Sequence, residues 1–581
     1  MILRQKHLLA ILCTLLLFGS SLFPDTRPNI ILVMVDDFGH ECVESYGGES
    51  YKTPYLTRMS KEGIQFNNAH AQNICTPSRV QIMTGQYNVR NYTRFANLST
   101  SLKTFGHGFK SAGYATCIVG KWQLGGNAET IKKLGFDEHC LWRINGANAE
   151  RYVSPTLLTN GKGEVFPGEY GPDIQQEFAK SFISKNKNSP FFLYYPMTLP
   201  HYPFQPTPDS EEWNPNRIPN FNDPIFFADM VKYLDKLVGE LIKHTIQLGI
   251  DDNTLIIFTS DNGTDHRITS IQNGLKINGA KGKMISDATL VPFIARWPDV
   301  IKKTLSSCHL VDFSDLYATF IDIAKIPIKL SDAKKLDGAS IFPIFLGQNQ
   351  SIRDHSFCWY MERTDSTNIK YFIQNERYKL HHDGRFIDKL KDRFEKNPMN
   401  NEMLKSDLRV LKSYFKEKMD YYSSLRPKRI EFKNGQPIKI PGILEFEMYD
   451  IGMPGITYHD VTKGNSDRGF WRRDDVDIKS KNGLHFVTNT EPGEWLEYSI
   501  DISRNGEFKT SINYSAKTDG KITFLLEDKI IAEGVRLPKT INSNMVTLNP
   551  PEVFRLPKGN HILKIRINQG SLNLDSIQFH N

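Results

Sequence analysis

Two acidic clusters and one cysteine carry the residue types most able to do chemistry. Asp36-Asp37 and Asp261-Asn262 each follow an apolar run, and together they offer three carboxylates and one amide oxygen. Such hard oxygen donors suit calcium or magnesium and suit a soft metal poorly. Taken singly, either pair could equally cap a helix or close a turn. Two such pairs, each placed directly after a buried-type strand, favour a metal site. The cysteine is Cys75, in Asn73-Ile74-Cys75-Thr76-Pro77-Ser78-Arg79, before a short helical stretch that ends near Gly85. Pro77 fits a first helical turn, which puts Cys75 at a helix N-terminus, where free N–H groups and the dipole favour anions and would acidify a thiol. On spacing alone this cysteine reads as either structural or reactive.

The elements that must position these residues are four short apolar runs, at 30–35, 115–119, 191–195 and 255–259, separated by helical stretches. That order predicts a parallel sheet covered by helices. Each run delivers polar residues at its end: Asp36-Asp37, then Gly120-Lys121-Trp122-Gln123, then Pro200-His201, then Asp261-Asn262-Gly263. In open α/β sheets ligands bind beyond the carboxyl ends of the strands, so all four clusters are expected to converge on one crevice.

Read together, CTPSR, the upstream Asp36-Asp37 and the downstream Ser260-Asp261-Asn262-Gly263 resemble the signature of the formylglycine-dependent (type I) sulfatases of the alkaline phosphatase superfamily, over roughly residues 27 to 400. The resemblance implies an α/β, alkaline-phosphatase-like sandwich: a large central sheet covered by helices, then a smaller C-terminal antiparallel subdomain. It implies that a formylglycine-generating or sulfatase-maturing enzyme oxidises Cys75 to formylglycine, whose hydrated gem-diol is the nucleophile. It further implies a Ca²⁺ held by Asp36, Asp37, Asp261, Asn262 and the modified residue 75. Arg79 would steady the gem-diol, Lys121 and Lys281 would bind sulfate oxygens, and His201 would face the ester oxygen. The chemistry is coherent, because charge developing on sulfate oxygens calls for cations and a sugar alkoxide calls for a general acid, which an ordinary imidazole can supply. Two departures stand out. Gln123 replaces the histidine usual after Gly-Lys-Trp and cannot act as a base at neutral pH. Residues 285–290 replace a common Tyr-Glu-Gly-Gly-x-Arg pattern, which suggests a variation around the substrate pocket.

At 581 residues, with 39% hydrophobic and 24% charged residues, the chain is long enough for a catalytic body plus an appended module, and its composition is that of a globular protein. The net charge of +7, which becomes +5 without Arg4 and Lys6, is too mild and dispersed for a nucleic-acid binder. Residues 1–21 read as a secretory signal peptide and no other run suits a membrane span, so a secreted or periplasmic protein without integral membrane association is expected. Apart from Cys13, the six cysteines, at 42, 75, 117, 140, 308 and 358, lack the paired spacings of a zinc site or a disulfide scaffold. The expected divisions are a sulfatase catalytic domain at 27–345, its C-terminal subdomain and a helix at 346–435, and a β-sandwich module at 443–581. His381 and His382 read as exposed turn histidines, and Leu404, Leu408, Leu411, Phe415, Met419 and Tyr422 as the apolar face of a helix.

From about residue 444 short alternating strands predict an all-β sandwich. Its strings Glu445-Phe446-Glu447, Tyr458-His459-Asp460 and Asn573-Leu574-Asp575 resemble a family 6 carbohydrate-binding module. That resemblance implies a structural calcium near Glu445 or Glu447 and Asp575, and sugar contacts at Trp471 and Asn573. A second stacking aromatic is not evident between residues 539 and 552, so a binding and a structural role stay open. The expected activity is hydrolysis of sulfate esters on a polysaccharide or its oligosaccharides. The alternatives are a phosphodiesterase or phosphonate hydrolase of the same superfamily, or a non-catalytic glycan-binding protein.

Overall fold

The computed structural model describes residues 27–142, 150–216, 221–302, 305–362, 368–432, 435–462, 464–465, 472, 474–481, 484–541 and 544–580. The expected signal peptide and Trp471 lie outside them. The main sheet has ten strands: β1 (Asn29–Val35), β2 (Ile64–Phe66), β3 (Ala115–Lys121), β4 (Glu138–Trp142), β5 (Thr156–Thr159), β6 (Lys162–Val165), β7 (Phe191–Pro196), β8 (Thr254–Ser260), β9 (Phe293–Arg296) and β10 (Leu305–Ser307). Their order across the sheet is β10-β2-β9-β8-β1-β7-β3-β4-β5-β6. The central strands β8, β1, β7, β3 and β4 run parallel. β9 is antiparallel to both β8 and β2, so the sheet is mixed rather than wholly parallel.

Every residue of β1 is buried, and its side chains alternate between two cores. Ile30, Leu32 and Met34 join one core, and Ile31, Val33 and Val35 the other. Period-2 alternation with both faces covered is the signature of a helix-sheet-helix sandwich. Helices α1 (Pro54–Lys61), α3 (Gly171–Asn186) and α4 (Phe227–Gln247) cover one face through Leu56, Phe182, Leu234 and Leu237. Helices α2 (Cys75–Thr84) and α5 (Asp315–Ala324) cover the other through Val80, Met83 and Phe320. Each fully buried aliphatic side chain contributes roughly 1.5–3 kcal/mol, so the carboxyl end of β1 is a fixed platform.

A four-stranded antiparallel sheet follows, β11 (Ser356–Met361), β12 (Ile369–Gln374), β13 (Tyr378–His381) and β14 (Phe386–Asp388). Helix α6 (Ser406–Ser424) packs on it through Phe415 and Met419. Phe357, Trp359 and Phe386 of this sheet share the first core with the main sheet, so the two are welded together. His381 corrects its expected exposure: it is buried and bonded to Glu395 (Nε2 to Oε2, 2.9 Å), whereas His382 is exposed. The C-terminal region forms two further sheets, of six and seven strands, around a separate core that includes Tyr498, Ile512, Phe524 and Ile577.

Candidate active site

Strand register brings the acidic clusters together. β1 and β8 are parallel neighbours with Val35 opposite Ser260, so one residue further on Asp36 and Asp261 emerge side by side. The Asp261 N–H donates to the Val35 carbonyl (3.0 Å), the Phe38 N–H to the Asn262 carbonyl (3.0 Å) and the Asp37 N–H to Asp261 Oδ1 (3.1 Å). On the other flank β7 pairs with β1 up to Met34–Pro196, then leads into the loop of His201. β3 pairs with β7 and ends at Lys121. Gly120 is required there, since at φ 119° a β-carbon would lie 1.9 Å from the Pro196 carbonyl oxygen.

Cys75 opens α2, as its sequence context suggests, and is 1% exposed. The charges of Lys121 and Lys281 favour its thiolate, and those of Asp261 and Asp36 oppose it. One expectation fails: burial pushes the thiol up, and the two lysines only moderate that, so Cys75 is not an acidified thiol. All six described cysteines are unpaired. The loop before α2 is tied to the loop of Lys281, because the Gly282 N–H donates to the Asn73 carbonyl (2.8 Å) and Asn73 Nδ2 donates back to the Gly282 carbonyl (3.2 Å).

The cations face the acids directly. Arg79, buried on the second turn of α2, donates from Nη2 (2.7 Å) and Nε (3.1 Å) to Asp261 Oδ2 and from Nη1 to the Lys121 carbonyl (3.1 Å). Lys121 Nζ donates to Asp36 Oδ2 (2.7 Å), and Lys281 Nζ to Asp37 Oδ2 (2.6 Å). Burial would raise Asp36, yet His201, Lys121 and Arg79 together hold it well below the usual carboxylate range. Burial, with Asp36 alongside, raises Asp37 despite Lys281 and pushes Asp261 up to about 7 despite Arg79.

Each of the three crowded carboxylates faces one cation, yet not every oxygen around them is satisfied. Asp36 Oδ1 and Asn262 Oδ1 are buried without a hydrogen-bond partner. One oxygen each of Asp36 and Asp37 and a ring nitrogen of His201 lie within 4.8 Å of one another, the only such cluster among the described residues. Two orphaned oxygens, one carboxylate and one amide, beside two further carboxylates fit a hard divalent cation.

His201 is held from both sides. Nδ1 lies 2.7 Å from Arg151 Nη1 and 2.6 Å from the Tyr202 carbonyl, and Nε2 lies 3.0 Å from Lys281 Nζ. The Tyr152 hydroxyl donates to the Thr198 carbonyl (2.9 Å) and the His201 carbonyl (2.5 Å), fixing the loop. Burial, aided by Lys281 and Arg151 and opposed by Asp36, pushes this imidazole well below its ordinary value. Gln123 is buried at φ 50° with Oε1 unpartnered.

Sequence reasoning missed Arg151, which stacks on Trp142 with the guanidinium carbon 4.1 Å from the ring centroid, because no motif marks it. It also missed Glu395, at φ 56° and buried, which accepts from the Ser286 N–H (2.7 Å), Ser286 Oγ (2.7 Å), Lys379 Nζ (2.7 Å) and His381. Residues 286–289 form a buried turn of helix clamped by Glu395 and by Arg393 on Asp287 (3.2 Å), which makes them support beneath the site. Gly263 packs onto that turn so closely that a β-carbon would lie 2.0 Å from the Asp287 carbonyl oxygen.

Comparison with known proteins fits this geometry. The family model described as Sulfatase matches residues 28–326, over half of the chain. The chain belongs to the sulfatase family. A sulfatase is a sulfuric ester hydrolase, and the alkaline-phosphatase-like architecture agrees with that assignment. A second model, for the C-terminal region of N-sulphoglucosamine sulphohydrolase, matches residues 280–422. The sulfatase is 27% identical over 446 residues to an N-acetylgalactosamine-6-O-sulfatase of Bacteroides thetaiotaomicron, covering 60% of this chain and 85% of that one. It is 24% identical over 517 residues to an N-acetylglucosamine-6-O-sulfatase of the same organism, covering 71% and 88%. The crystal structure of Ps i-CgsB superposes with a TM-score of 0.60 at 24% identity, covering 69% of this chain and 94% of that one.

The third match corrects the module's family. Residues 472–579 match a family 35 carbohydrate-binding module, not family 6. Trp471 precedes the matched segment, and Asn573 is engaged internally, accepting from Thr488 Oγ1 (2.6 Å) and donating to Ser515 Oγ (2.8 Å). No helix among the described residues is long and apolar enough to cross a membrane.

Proposed function

We propose that this sulfatase is exported and removes sulfate ester groups from a sulfated polysaccharide or its oligosaccharides, using residue 75 as formylglycine. The observation that carries the reading is the convergence, beside the helix that residue 75 opens, of Asp36, Lys121 and Asp261 from the ends of three strands and of Lys281 from a loop tied to Asn73. Cys75 Sγ stands in for the hydroxyl groups of the hydrated aldehyde, which would supply the oxygen that attacks sulfur and, after ester cleavage, collapse to release sulfate and regenerate the aldehyde. A maturing enzyme would have to act before folding, because the folded chain buries the thiol. Calcium on Asp36, Asp37, Asp261, Asn262 and residue 75 would supply electrophilic stabilisation of sulfate oxygens.

The chain's own residues do the rest. Lys121 and Lys281 would turn from Asp36 and Asp37 to sulfate oxygens, and Arg79 holds Asp261 in place by its two bonds to Oδ2. His201 presents Nε2 to the leaving oxygen and gives it a proton as the S–O bond breaks. Because burial drives that imidazole neutral, the arriving sulfate anion must restore its proton affinity, so protonation and substrate binding are linked. Gln123 holds and orients but takes no proton, which leaves the sulfate-release step to another group.

A carbohydrate substrate is supported by the family 35 module and by the sugar sulfatases among the relatives. The divisions at 21, 345 and 435–443, the signal peptide, a calcium near Glu445 or Glu447 and Asp575, and sugar contacts at Trp471 and Asn573 complete the proposal. Release of free sulfate from a panel of defined sulfated sugars, run beside matched phosphate esters, tests it. Sulfate release from one or more sugars supports the reading, and turnover of phosphate esters alone would refute it.

A further inference from the structure

A second basic hollow is lined by none of Asp36, Asp37, Cys75, Lys121, His201, Asp261 or Lys281. It measures about 510 Å³ and opens between α6 and the turn that joins β13 to β14. Arg409, Lys412 and Lys416 project into it from one stripe of α6, at spacings of three and four residues, which places them on a single helical face. Opposite them stand Tyr371 and His382, whose rings lie 5.3 Å apart at 42°. Leu380 and Leu404 line the floor, as does His381, whose buried Nδ1 has no hydrogen-bond partner.

The three cations are not consumed by the fold. Arg409 uses Nε on the Leu404 carbonyl (2.8 Å), and Lys412 donates to the Gly384 carbonyl (3.3 Å) and to Asn401 Oδ1. Burial alone lowers Lys412, with no carboxylate acting on it. Asp420, at the far end of the stripe, is the hollow's one carboxylate. Cations that share the hollow with Asp420 as its single carboxylate, beside the half-buried Tyr371 ring and the exposed His382 ring, match an anionic sugar: the rings accept its C–H face and the cations its charged oxygens.

We propose that this hollow is an accessory binding site for a sulfated sugar residue of a polymeric substrate. The choice of ligand rests on the sulfated-glycan reading above, and the site itself does not require the chemistry at residue 75. It would hold a neighbouring part of the polymer and raise the local concentration of sulfate esters at the catalytic centre.

The test uses the full chain with Cys75→Ala, so that binding is read without turnover, in the presence and absence of Lys412→Glu/Lys416→Glu. Lys416 is exposed and Lys412 half-buried, and a circular dichroism melt checks that the double variant folds. Hydrogen–deuterium exchange is followed in peptides covering 378–388 and 401–424 on addition of ulvan oligosaccharides or a chondroitin 6-sulfate octamer. Local exchange separates this hollow from the C-terminal module and from the catalytic crevice. Protection by either probe that vanishes in the double variant supports the site, and the half-saturating concentration should rise about tenfold or more when two charge-assisted contacts are reversed. Absence of protection with both probes, equal protection by a desulfated octamer or an oligothymidylate of equal charge, or protection by inorganic sulfate alone would overturn it. Loss of sulfatase activity in the parent chain would refute the catalytic reading while leaving this binding result intact.

Discussion

Glu395→Gln should destabilise the catalytic body through the lysine it leaves behind. Lys379 and Glu395 have fully buried side chains, 2.7 Å apart. Gln keeps the shape and one acceptor for Ser286 but removes the counter-charge of Lys379, whose ammonium burial already pushes down. Breaking a buried pair in this way costs about 3–5 kcal/mol. The cost has a ceiling, because the ammonium can give up its proton, which at pH 7 bounds the loss near 5 kcal/mol. Spread over a body of roughly 400 residues, that is a fall in Tm of about 4–6 °C. The pH dependence identifies the cause. Lys379 in the variant has a folded value depressed further below its unfolded one, so the penalty is present at pH 7 and fades as pH rises toward about 10, where the unfolded lysine also loses its proton. Calorimetry of parent and variant at pH 7 and near pH 10 reads both effects. A Tm within a degree of the parent at pH 7, or a deficit that does not shrink at high pH, would refute this account of the Glu395 node.

Three further outcomes follow from the same contacts. Arg79→Lys should lower kcat by about two orders of magnitude and stability by about 3 kcal/mol, since a lysine cannot reproduce the bidentate grip on buried Asp261 together with the bond to the Lys121 carbonyl; steady-state kinetics and urea melts check it. Asp235→Ala should cost about 2–4 kcal/mol, read by denaturant unfolding, because buried Asp235 accepts from the N–H groups of Tyr55 (2.9 Å) and Leu56 (2.8 Å) at the start of the helix Pro54–Lys61 and both would be left unpaired. In the C-terminal module burial, with Glu445 and Asp575 alongside, pushes Glu447 up to about 8 from an ordinary 4.5. A raised carboxyl stabilises least when ionised, so with a chelator present the module's Tm should fall between pH 5 and 8, and calcium should restore it; a flat profile with chelator would contradict the cause.

The site's skeleton was legible in the sequence because β1, β3, β7 and β8 are apolar on both faces and change abruptly to polar residues where the sheet ends. That pattern alone implies convergence, and the register of Val35 with Ser260 delivers it. The antiparallel insertion of β9 was not legible, since a four-residue apolar run carries no direction. Nor was the state of the Cys75 thiol: a helix start argues for acidity, and the depth of burial that reverses it is a property of the packed core. Glu395 lies 109 residues from Ser286 and reads as one acid in a charged stretch, and Arg151 has no motif around it. The module's β-sandwich was legible from alternation and turns, while its family was not, because the strings that suggested family 6 are mostly features of the sandwich itself.

The central claim is tested most directly by a mass spectrum of the peptide carrying residue 75, taken on preparations matured to different extents and set against their rates of sulfate release. The rate should rise in proportion to the aldehyde fraction and vanish for the pure thiol. Full activity from protein whose residue 75 remains an unmodified cysteine would contradict the account.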